Sequence, residues 1–117
     1  MITFKKLLER AKSEAIAVHT STESQALTLL SELDKKGYMW KPDSKLTAAS
    51  YFFFFKEDTH YFFGITNHPH CNRVKFGSLC DAKDEGCAII EFSDIDFTDK
   101  KNPENLQKLY VYQRKVK

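Results

Sequence analysis

The chain has 117 residues, 42% of them hydrophobic and 29% charged, which is the size and balance of one globular domain and excludes a mainly disordered polymer. Eighteen Lys and Arg against sixteen Asp and Glu leave a net charge of +2, too weak a field to hold nucleic acid nonspecifically and of the wrong sign for an acidic mimic of DNA. Charges interrupt the apolar residues of MITFKKLLERAKSEAIAV, and no stretch approaches a membrane span, so the expected location is the cytoplasm, with Cys71, Cys80 and Cys87 reduced.

Phe4, Leu7, Leu8 and Ala11 recur at helical spacing behind Thr3 as a cap, which predicts a helix near residues 3–13. Ala15–Val18 is a compact apolar run, read as a buried strand. Thr20 and Glu23 have capping-box spacing, and Ala26, Leu29, Leu30 and Leu33 ahead of Lys35, Lys36 and Gly37 predict a second helix near residues 21–36. Tyr38, Met39 and Trp40 open a strand that Pro42 and Asp43 interrupt. Tyr51–Gly64, YFFFFKEDTHYFFG, carries eight aromatic residues in fourteen positions and predicts an antiparallel hairpin centred on residues 51–65, with KEDT as its turn.

Beyond it, NHPHCN is a loop by composition, Arg73–Phe76 a short strand, and DAKDEG a turn or a short helix closed by Gly86. Cys87–Phe92 is a β-branched strand whose apolar pattern Ile95 and Phe97 extend. Asn102 and Pro103 fit the start of a last helix, although LYVYQRKV fits a strand equally well. The order predicts a single α+β domain over residues 1–117, with two N-terminal helices packed on one face of a mostly antiparallel sheet.

A strand shows alternate residues to opposite faces, so Tyr51, Phe53 and Phe55 are expected beneath the helices. Phe52 and Phe54, with Tyr61 and Phe63 as hairpin neighbours, are left for the C-terminal segment Asn102–Lys117 or for another molecule. Phe52, Phe54, Tyr61 and Phe63 are therefore the candidate partner-binding residues, and a homodimer is one form the partner can take. The opposite register, which exposes Tyr51, Phe53 and Phe55, stays open.

Catalytic signatures are weak. His68, His70 and Cys71, with Cys80, Cys87 and His60, are of the type that binds zinc, but they contain no C-x-x-C pair and read better as a polar loop with scattered small residues. His70 adjoins Cys71 in the chain, a placement that rarely puts a base on a thiol. Glu91, Asp94, Asp96 and Asp99 are of the type that binds Mg²⁺, and Pro42-Asp43 with Asp81-Ala82-Lys83 loosely matches the carboxylate and lysine pattern of restriction-type nucleases; a solvated strand end explains them better. Aromatic rows also stack bases in single-strand RNA readers, but this one lacks their glycines and basic neighbours, so packing is the stronger reading. No catalytic residue, metal or cofactor is expected.

Val18–Trp40, VHTSTESQALTLLSELDKKGYMW, resembles a pattern found in small accessory proteins of bacteriophages and prophages: a strand, a Ser/Thr cap with a nearby Glu, a Leu-rich helix, and G-Y-x-W opening the next strand. Cys87–Asp96, CAIIEFSDID, is similar to their closing strand, so the resemblance covers 33 of 117 residues and leaves the aromatic stretch and the NHPHC loop outside it. It implies a non-enzymatic, stoichiometric inhibitor of host defence, of the anti-CRISPR kind, acting on a host defence protein or a protein–nucleic acid complex. The alternatives are a sponge that sequesters a nucleotide immune signal and, third, a metal-dependent enzyme.

Overall fold

In the computed structural model, which describes residues 1–40, 44–64 and 73–100, Thr3 closes a two-residue strand, β1 (Ile2–Thr3), and caps α1 (Phe4–Arg10) by accepting the Lys6 N–H at 3.1 Å. The helix buries Phe4 and Leu7 and stops at Arg10, earlier than its apolar spacing predicts, because residues 11–14 turn the chain into β2 (Ala15–Thr20). α2 (Glu23–Lys35) is capped by Thr22, which accepts from Gln25 N–H at 3.2 Å. Thr20, the expected cap, instead ends β2, buried, with its hydroxyl donating to the Thr59 carbonyl. At the other end Gly37 takes φ +90°, and the N–H groups of Gly37 and Tyr38 return to the Asp34 and Leu33 carbonyls, which satisfies the last turn.

β3 (Met39–Trp40) and β4 (Ser44–Lys45) are short, and a 3₁₀ turn at Leu46–Ala48 leads to α3 (Phe52–Phe55). A second 3₁₀ turn, Lys56–Asp58, enters β5 (Thr59–Gly64); β6 (Arg73–Gly77), α4 (Leu79–Asp84), β7 (Ala88–Glu91) and β8 (Ile95–Asp96) follow. The main sheet runs β4-β3-β6-β5-β2-β7, and β1 pairs separately with β8.

The protein is thus α+β, but its sheet is mixed rather than mostly antiparallel. β2–β5, β5–β6 and β3–β4 are antiparallel, while β2–β7 and β3–β6 are parallel. The parallel pairs follow from helical crossovers. α2 carries the chain from β2 to β3, and α4 carries it from β6 over β5 and β2 to β7. The crossovers lie on opposite faces of the sheet, α2 on one and α4 on the other. Ala26, Leu29, Leu30 and Leu33 of α2 share a core with Ile16, Val18, Tyr61, Phe63 and Val74, which Phe4 and Leu7 of α1 join. Ala82 of α4 instead packs on Ala17 and Phe62, whose side chains leave the other side of the sheet.

The aromatic hairpin is absent, because β5 is hydrogen-bonded along one edge by β2 and along the other by β6. No edge is left for YFFFF to pair with. The segment forms a single helical turn instead, between two non-glycine residues at positive φ, Tyr51 at 57° and Lys56 at 51°. The last helix or strand expected beyond Asn102 lies outside the described residues.

Candidate functional site

Three consecutive phenylalanines of α3 face solvent: Phe53 is 69% exposed, Phe54 58% and Phe55 37%. The backbone on either side of them is tied to side chains of the core. Trp40 Nε1–H donates to the Ala49 carbonyl at 3.1 Å, and the Tyr61 hydroxyl donates to the Ser50 carbonyl at 2.6 Å. On the exit side the Thr59 hydroxyl donates to the Lys56 carbonyl at 2.7 Å. Tyr51 lies flat on Phe76 of β6, with ring centroids 4.8 Å apart and 5° between planes, and meets Trp40 edge-on at 5.0 Å. Phe54 stacks on Phe53 at 4.4 Å and leans on Phe76 at 5.7 Å. The result is a packed aromatic base under an exposed ridge.

Of the four residues expected to form one face, the structure exposes Phe54, leaves Phe52 half-buried against the core, and buries Tyr61 and Phe63 at 0% and 4% exposure. Tyr61 and Phe63 are core residues, and the exposed group draws on both candidate registers. The reason is geometric: neighbours on a helical turn sit about 100° apart, so consecutive side chains share a face that a strand would split.

Behind the ridge lies an arrangement that the spacing of residues does not reveal. His19 of β2 and His60 of β5 are directly opposite in register, and their rings stack at 4.7 Å with 21° between planes. His19 Nε2 is 2.6 Å from the Glu57 carbonyl and its Nδ1 is 2.7 Å from Glu91 Oε1 on β7. His60 Nδ1 lies 2.8 Å from the next carbonyl, that of Asp58. A carbonyl and an ionised carboxylate can only accept, so both contacts are satisfied together when His19 is protonated and each ring nitrogen donates. Burial, the largest influence, pushes the His19 pKa down. The bonds to the Glu57 carbonyl and Glu91 and the nearby Asp58 charge outweigh it, and the net direction is up. The only sequence signal for this pair was the alternation within the two strands, which says nothing of the register that joins them.

His68, His70 and Cys71 lie outside the described residues, as does Pro42-Asp43. Among the described residues no group of three or more His, Cys, Asp or Glu is placed to hold a metal ion, and no helix is long and apolar enough to cross a membrane. Cys80 is exposed and Cys87 half-buried, with burial pushing its thiol up. Asp81 closes a capping box with Ser78 at the start of α4, and Asp96 accepts the Thr98 N–H at 2.9 Å. A groove of about 60 Å³ on the α4 side is lined by Phe62, Gly64, Arg73, Lys75, Glu85 and Cys87.

Compared with known proteins, the chain matches no family model, no curated protein and no solved structure.

Proposed function

We propose that this protein acts by binding rather than by catalysis, and that the Phe53–Phe54–Phe55 ridge is its contact surface. The observation that carries the reading is the exposure of three adjacent rings on a short turn whose flanking backbone is held by Trp40, Tyr61 and Thr59. Aromatic rings are enriched where proteins meet, and a preorganised backbone lowers the entropic cost of ordering them there. In line with the phage-type resemblance of Val18–Trp40, we infer that the partner is a bacterial defence nuclease and that the protein inhibits it stoichiometrically. The groove on the α4 side, at about 60 Å³, is far below the roughly 300 Å³ at which small-molecule pockets begin, so that groove does not support the sponge reading.

The test compares the wild type with a Phe53→Asp, Phe54→Asp double variant. The wild type should retain a nuclease from bacterial lysate and abolish its cleavage at an equimolar ratio, and the double variant should do neither while remaining folded. Release of a nucleotide on heating, with no protein retained, would instead favour the sponge. Sedimentation as a dimer that the double variant breaks would make the partner a second copy.

A further inference from the structure

We propose that His19 is a proton-operated latch on the aromatic ridge: protonated, it holds the 56–58 turn against the sheet, and on losing its proton it releases that turn. This deepens the binding reading above and rests on it for its consequence, that a partner is held more tightly at lower pH.

The latch follows from what each acceptor is able to do. When His19 becomes neutral, one ring nitrogen keeps a hydrogen and the other presents a lone pair to an oxygen less than 3 Å away. A hydrogen bond to an ionised acceptor is roughly twice as strong as one to a neutral carbonyl. The hydrogen therefore stays on Nδ1, facing Glu91, and the Nε2 lone pair faces the Glu57 carbonyl. That carbonyl is main chain, so it cannot turn away without moving the turn. Lys56, next to it at φ 51° and ψ −122°, is already in a region that L-residues disfavour, so the turn gains by relaxing. The turn follows α3 directly, and displacing it displaces the ridge.

The groups facing His19 come from each neighbouring element. Glu91 arrives from β7, Asp58 and the Glu57 carbonyl from the turn, and His60 from β5, while Asp94, just beyond β7, is exposed to water. The imidazole of His60 grips the Asp58 carbonyl beside the one His19 holds. The two rings thus clasp consecutive carbonyls of one turn.

Trp40, the single tryptophan, touches Tyr51 at the entrance to the ridge and reports on it. The isolated protein is titrated from about pH 5 to about pH 9, following the His19 ring nitrogens and the Phe53–Lys56 amides by NMR and Trp40 by its emission. All three signals should share one midpoint above the ordinary histidine value, with neutral His19 carrying its hydrogen on Nδ1. Glu91→Gln should lower that midpoint by about one pH unit, and His19→Gln should abolish the step. If His19→Gln does not fold, Glu91→Gln carries the test. Amides and emission that stay flat while His19 titrates overturn the latch, as does neutral His19 with its hydrogen on Nε2, which would mean that Glu91 swings away and the turn stays. No partner is needed for these readouts. Failure to retain a nuclease therefore counts only against the binding reading, and a flat titration with retention intact counts only against the latch.

Discussion

The Tyr61 hydroxyl, at the floor of the core, donates to the Ser50 carbonyl at 2.6 Å and so ties β5 to the segment that enters the aromatic turn. Burial, with a smaller contribution from Glu23, holds the phenol protonated far into the alkaline range, so the donor is present at any pH the fold survives. Tyr61→Phe keeps the ring and removes the donor, leaving the Ser50 carbonyl short of a partner. We expect a loss of about 1–2 kcal/mol, seen as a melting temperature lower by roughly 5–10 °C. An unchanged melting curve would show that the bond does not anchor the ridge.

Exposure separates the aromatic residues into two classes that substitution should distinguish. Phe53→Asp places a charge in water and should change stability by less than about 0.5 kcal/mol. Phe63→Asp places the same charge at 4% exposure among α2 and the sheet and should unfold the domain. Circular dichroism of the two variants decides it. A folded Phe63→Asp protein would mean that the core is not where β5 places it.

The elements legible in the sequence are those whose signals are local. α2 announced itself by an apolar stripe and a glycine stop, and both appear as expected, because Leu29, Leu30 and Leu33 need only a 3.6-residue period to reach the core. β2, β6 and β7 were visible as short apolar runs. α4 carried a legible capping box, Ser78 with Asp81, that the strand-rich surroundings obscured. YFFFF misled for a different reason: aromatic rows favour strands, but strand formation needs a free edge, and that depends on β2 and β6 occupying both edges of β5. The His19–His60 pair was illegible because register is a property of two strands together.

Gly64 ends β5 at φ +114°, and a methyl group there would collide with the Glu14 carbonyl oxygen and lie 3.3 Å from that of Ala11. Gly86 also has positive φ, at +73°, but nothing stands within 4 Å of the same added atom. Gly86→Ala should therefore cost only the conformational penalty, about 1 kcal/mol. Gly64→Ala should cost several times as much, since two main-chain oxygens must move. Urea unfolding of both variants checks the order, and equal midpoints would contradict it.

Lys56, at φ 51° and ψ −122°, occupies the position that a type II′ turn reserves for glycine. Strain of this kind costs about 1–3 kcal/mol, and glycine gives back up to about 1 kcal/mol through its freer unfolded chain. Lys56→Gly should thus stabilise the domain by roughly 1 kcal/mol and, by relaxing the turn that the latch acts on, reduce the pH-dependent change in Trp40 emission. Lower stability would show that the Lys56 side chain contributes more than its backbone conformation costs.

The stability of the whole domain should follow the same proton. His19 has a raised pKa in the folded state, so the stability it contributes is fully present below the unfolded value of about 6.5 and is lost as pH rises through the folded value. Asp81, held down by the Ser78 N–H and hydroxyl, and Asp96, held down by the Thr98 hydroxyl and N–H, work with the opposite sign. Their contribution is present above about pH 4 and is lost as pH falls through their folded values. Urea midpoints should therefore be highest between about pH 4.5 and pH 6.5 and decline on the alkaline side. In His19→Gln the decline that begins near pH 6.5 should disappear while the acid decline remains, because the carboxylates are untouched; the Cys87 thiol and the Tyr61 phenol, both pushed up by burial, bring losses only above about pH 8.5. A decline between about pH 6.5 and pH 8 that persists in His19→Gln would assign it to another group and remove His19 from the stability of the turn.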